Sequence, residues 1–153
     1  MDESGWCTFE SKASSSADAH TLYRLLVDGA NWRDWAGPLI AHSSIERQGI
    51  PPNGAGAIRR LGRWPMLVRE ETVDNKEDRR HCYTIRSGAP VRDYLAEVIL
   101  NPTENGTDVV WRGRFRPAIA GTAAVIELVF ARLIAHLTRR LVAAAESTES
   151  RVR

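Results

Sequence analysis

The chain has 153 residues, a length that suits one domain around one core. Its 21 Lys+Arg and 19 Asp+Glu leave a net charge of +2, and 43% of its residues are hydrophobic, ordinary values for a globular protein. These figures argue against a nucleic-acid binder, which would concentrate its basic residues in a stripe. No stretch approaches the ~18 uninterrupted apolar residues that span a bilayer.

In chain order, Trp6–Lys12 reads as a first strand, broken by Ser14–Ser16. Ser15 with Asp18 three residues on has the spacing of a capping box, with Asp18 near the positive end of a helix dipole. A helix is expected from about Ala17 to Val27, with Leu22, Leu25 and Leu26 on its apolar face and Gly29 as its stop. Asn31–Trp35 reads as a short helical turn. Trp32 and Trp35, three apart, share a side and either plug one end of the core or line a cavity mouth.

Ile40–Arg47 is a short strand, and Pro51-Pro52-Asn53-Gly54 a strong turn signal. Ala57–Leu61, Met66–Val73, His81–Arg86, Val91–Leu100 and Thr107–Arg116 then alternate apolar and polar residues across short links, the pattern of antiparallel hairpins. Pro117 ends the last strand. A long helix follows, from about Ile119 or Thr122 to Ala145, with Ile126, Phe130, Leu133, Leu137 and Leu141 at helical period. The expected class is α+β: a curved antiparallel sheet of about seven strands wrapped around a long C-terminal helix, with two short helices after the first strand. Residues 1–153 form a single domain on this reading, with a core over 6–146 and a frayed tail over 147–153.

Period-two alternation assigns the faces. Val109, Trp111, Gly113 and Phe115 share one side of the last strand, and Arg112, Arg114 and Arg116 the other, read as a solvated strand face. Tyr94, Ala96, Val98 and Leu100 face in, as do His81, Tyr83 and Ile85. Met66, Val68, Glu70 and Thr72 go together, and so do Ala57, Arg59 and Leu61. Two of these apolar faces thus carry a charge. A turn near Arg63-Trp64 brings Arg59 opposite or diagonal to Glu70, and pairing is the natural solution for two buried charges. The inward surface offers aromatic walls (Tyr83, Tyr94, Trp111, Phe115), small gaps at Ala96 and Gly113, and this pair. That describes either a small-molecule site or a plain core with a structural ion pair.

Several chemistries find no support. His20, His42, His81 and His136 are scattered, and no His/Cys/Asp/Glu cluster has metal-ligand spacing. Gly54-Ala55-Gly56 lacks the third glycine of a dinucleotide fingerprint and precedes a strand. There is no Walker loop and no nucleophile elbow. Neither a metal nor a cofactor is expected. Any catalysis would be acid–base work by Glu70, His81 or a tyrosine, and His81 is read as a strand-edge residue rather than a proton shuttle. An Arg59 partner would hold Glu70 ionised, whereas dry isolation would raise its pKa; the two remain open. Met1–Gly5 is polar and has no signal-peptide core, and Cys7 and Cys82 make no disulfide framework. The expected setting is cytoplasmic, with reduced thiols.

The stretches GAGAIRRLG, VREETV, RRHCYTIRSGAPVRDYLAEV and GTDVVWRGRFRP, with the helix after them, resemble the polyketide cyclase/dehydrase-type (SRPBCC) group of small actinobacterial proteins, within the START-type helix-grip superfamily. The resemblance runs from about Phe9 to Glu146. It implies a helix-grip fold with a deep cavity between sheet and C-terminal helix, and Arg59, Glu70, Tyr94 and Trp111 fall at recurring positions of the group. The function expected is binding of a hydrophobic small molecule (a polyketide, lipid or aromatic metabolite) by Arg59, Glu70, Tyr83, Tyr94, Trp111 and Phe115. The alternatives are a cyclase/aromatase-type enzyme folding a flexible chain for reaction, or an interaction module whose pocket is nearly filled. The expected partner is a hydrophobic ligand, with no nucleic acid and no membrane span; a homodimer is left open.

Overall fold

The computed structural model describes residues 4–153; the first residues of the polar start read above as leader-free, 1–3, lie outside them. One antiparallel sheet has seven strands: β1 (Cys7–Ser15), β2 (His42–Arg47), β3 (Ile58–Arg63), β4 (Met66–Lys76), β5 (Arg80–Ser87), β6 (Val91–Thr103) and β7 (Gly106–Pro117). Their spatial order is β1-β7-β6-β5-β4-β3-β2. From β2 to β7 the strands are joined as consecutive neighbours, as short links dictate, and only β1 crosses over to close against β7. Helix α1 (Ala19–Val27) and a 3-10 turn (Gly29–Asp34) fill the crossover, and α2 (Ala123–Val152) lies along the sheet.

Alternation is visible in the burial. Tyr94, Ala96, Val98 and Leu100 of β6 and Val109, Trp111 and Phe115 of β7 are all buried, against Ile126, Phe130, Ile134, Leu137 and Leu141 of α2. The arginine row of β7 faces outward as expected: Arg112 pairs with Glu97, and Arg114 and Arg116 stack on Trp6.

Three local expectations change. Asp18, not Ser15, caps α1: its Oδ1 accepts from the Thr21 amide at 2.8 Å, while Ser15 Oγ accepts from the Ala17 amide and donates to Glu146. Asp28, ahead of Gly29, ends that helix. And α2 runs through the segment expected to fray. Glu146 and Glu149 explain it, since they accept hydrogen bonds from Ser15, Ser16 and Asp18 and so tie the last turns of α2 to the β1–α1 junction. At the other end of α2, Glu127 Oε2 accepts the Thr8 amide at 2.9 Å, capping a group on the free edge of β1.

Candidate functional site

The β3–β4 hairpin sets Arg59 directly opposite Glu70, and the two side chains meet on the inner face at 3.1 Å. Arg59 is 3% exposed and Glu70 8%. The guanidinium is held on several sides. Its Nη1 donates to the Leu26 carbonyl at 2.8 Å, one of the carbonyls a helix end leaves without an intrahelical partner, and Trp32 Nε1 donates to the same oxygen. Its plane lies over the Trp32 ring, 4.3 Å from the centroid. This route needs glycine at 29, because a Cβ there would stand 2.8 Å from Arg59 Cδ.

His81 is fully buried and belongs to the same cluster, not to a strand edge. Arg59 Nη2 lies 3.0 Å from His81 Nε2, and His81 Nδ1 lies 2.7 Å from Asn75 Oδ1. A guanidinium only donates, so Nε2 must present its lone pair, and Nδ1 carries the proton given to Asn75. Burial, with the Arg59 charge beside it, holds the imidazole pKa well below its ordinary value and keeps the ring neutral. Burial also raises the Glu70 pKa, an effect that Arg59 partly offsets. Asn75 escaped the sequence reading because the register of β4 on β5 shifts between Thr72 and Asp74. That bulge breaks strict alternation, so an odd-numbered residue joins Glu70 and Thr72 on the inner face and sits opposite His81.

Beside the charged cluster, Trp111 Nε1 donates to Tyr83 Oη at 3.1 Å, and Tyr83 Oη lies 3.3 Å from Tyr94 Oη. The set holds three polar hydrogens and makes two bonds, so one tyrosyl hydrogen has no acceptor among the described residues. Burial pushes both phenols above their ordinary pKa, so they stay protonated donors. Arg59 Nε is a second buried donor without a partner, and Trp35 Nε1, outside this group, is a third.

Of the sequence-selected residues, Arg59, Glu70, Tyr83, Tyr94, Trp111 and Phe115 all stand on the inner face, and all are buried. The hollow expected among them is occupied by rings. Phe130 of α2 lies 5.1 Å from Phe115 and 5.4 Å from Tyr94, and Phe9 stacks on Tyr94 and Phe130. Trp32 meets Trp111 edge-on at 6.0 Å and packs as core, whereas Trp35, also buried, lines a cleft of about 580 Å³. The gap at Gly113 is filled as well, by Phe9 and Ala96. Clefts of about 920, 580 and 880 Å³ open among the described residues, and none is lined by the six residues, although Phe9, Ala96 and Gly113 line the first. Met66, placed with the inward set above, is 72% exposed because it begins β4 at the hairpin tip.

Residues 7–146 match the family described as polyketide cyclase / dehydrase and lipid transport. The chain belongs to that family. Many solved structures are similar to this SRPBCC protein, and three of them serve as examples. The Zhui aromatase/cyclase from Streptomyces sp. R1128 has a TM-score of 0.78 at 19% identity, over 97% of this chain and 96% of the other. Ara h 8.0201 has 0.75 at 16%, over 94% and 99%. The protein XoxI from Bacillus cereus has 0.71 at 16%, over 94% and 98%. These likenesses show that the seven-stranded sheet and its long helix form the helix-grip fold. A search of curated protein sequences finds no match.

Proposed function

We propose that this SRPBCC protein binds a small hydrophobic molecule bearing an oxygen acceptor, such as a polyketide or aromatic metabolite, between the sheet and α2. The observation that carries the reading is the surplus of buried donors on an aromatic face: one tyrosyl hydrogen of Tyr83–Tyr94 and Arg59 Nε lack acceptors. A core built only for stability gains nothing from unspent donors, each of which costs about 1–3 kcal/mol. A carbonyl or phenolate oxygen entering between the rings would satisfy them, with Trp111 and Phe115 as walls. Phe130 is the ring to move aside, since it stands on α2 and reaches across to Tyr94 and Phe115.

Native mass spectrometry of the freshly purified protein tests this directly, together with thermal shifts against a panel of aromatic phenols and fatty acids. At a hundredfold excess over Kd, a bound ligand adds about 2.7 kcal/mol of stability. No carried-over mass and no shift across the panel would make the interior plain core.

A second reading, a cyclase/aromatase-type reaction in the same space, rests on Glu70. Burial raises its pKa while Arg59 pulls it down, the opposed influences an acid–base group needs, and no described residue donates to its second oxygen. Glu70→Gln would then abolish turnover of a polyketide-like substrate and retain binding.

A further inference from the structure

Seven strands in known register define two ends of the sheet. One end gathers the start of β1, the approach to β2, the β3–β4 turn, the β5–β6 turn and the entry to α2. More than half of the large exposed apolar side chains lie there, among them Leu39, Trp64, Met66, Ile119 and Val125, while Ile50 and Val152 are exposed elsewhere. Trp64 and Met66 at the hairpin tip are 81% and 72% exposed. The end is basic too. Arg63 and Arg92 bond only backbone carbonyls, of Pro38 and Pro117, and neither meets a carboxylate among the described residues. Arg116 has Asp93 at 4.0 Å, the limit of an ion pair.

We infer that this end docks on an anionic lipid surface, with Trp64 and Met66 inserting at headgroup level and Arg63, Arg92 and Arg116 facing the lipid phosphates. The apolar residues project from separate loops and a helix start, a shape that a fluid bilayer accommodates side chain by side chain. Tryptophan favours the membrane–water boundary, and arginines at its margin gain from the negative leaflet. An apolar insertion combined with a basic rim supplies the two signals that stable peripheral binding needs. The inference is independent of what the interior holds, because every residue it uses lies on the surface.

The test is co-sedimentation of the full chain with vesicles of phosphatidylcholine alone and of phosphatidylcholine mixed with phosphatidylglycerol. Binding is expected to the mixed vesicles and to fall as salt rises from about 0.1 M to about 1 M. Trp64→Ser with Met66→Ser should weaken it by about tenfold or more with the thermal midpoint unchanged, since both side chains are exposed. Arg63→Glu with Arg92→Glu should erase the preference for the anionic vesicles. Protein left in the supernatant with both lipids overturns the inference, as does sedimentation that the Trp64/Met66 variant does not reduce. Light scattering showing a dimer that this variant dissociates overturns it too, because the apolar end would then belong to a second copy.

Discussion

Consider replacing Arg59 and Glu70 by methionine, singly and together. The two charges meet at 3.1 Å with little exposure, so removing one partner strands the other in the core, which costs about 3–5 kcal/mol. The two singles should differ in kind. Without Glu70 the guanidinium keeps the Leu26 carbonyl, His81 Nε2 and the Trp32 face, which places the loss near the low end of that range. Without Arg59 the buried carboxyl loses the only influence lowering its pKa and folds protonated. Its folded pKa then lies further above the unfolded value, so stability is fully present below about pH 4.3 and is lost as pH rises towards the folded pKa. The slope is up to about 1.4 kcal/mol per pH unit. The double variant removes both charges and leaves one unmatched acceptor, His81 Nε2, at about 1–3 kcal/mol, less than either single. Urea denaturation at neutral pH, with a shared m-value, measures all four corners of the cycle. The expected coupling is about 2 kcal/mol or more. Single losses that add to the double within about 0.5 kcal/mol would show that the two charges do not stabilise each other.

Further outcomes are expected from the same site and its surroundings. Because the folded pKa of His81 is depressed, its contribution is present above the unfolded value of about 6.5 and lost as pH falls below it; the fall in thermal midpoint between about pH 7 and pH 5 should be shallower in His81→Asn than in the parent, and identical slopes would refute a buried neutral imidazole. Gly113→Ala places a Cβ 2.9 Å from both Ala96 Cβ and the Leu95 carbonyl and closer still to Phe9, so about 1–3 kcal/mol should be lost in chemical denaturation; an unchanged midpoint would mean that Phe9 yields freely. Trp111→Ala should lower affinity for any ligand that shifts the thermal midpoint; if only stability falls, Trp111 is core and no wall. Tyr94→Phe removes one polar hydrogen together with its oxygen, so the Tyr83–Tyr94 bond is lost and the Tyr83 hydrogen has no acceptor; it should weaken an oxygen-bearing ligand and cost the fold about 0.5–1.5 kcal/mol in chemical denaturation.

Element order, sheet class and the inward identity of Tyr83, Tyr94, Trp111, Phe115, Arg59 and Glu70 were legible in the chain itself. Period-two alternation and short links are local properties, and each strand announces its own face. The opposition of Arg59 and Glu70 was legible for the same reason, since a tight hairpin leaves almost no freedom in register. What the chain could not reveal depends on groups distant in sequence. His81 enters the charged cluster because β5 lies beside β4, and Asn75 joins it only through a bulge that breaks the alternation used to find the rest. The reach of α2 to Val152 rests on Glu146 and Glu149 meeting amides more than a hundred residues away. Whether the concave space is open or filled was also a tertiary decision. It turns on Phe130 and Phe9 meeting Tyr94 and Phe115 from opposite ends of the chain, and no periodicity encodes the volume left between two surfaces.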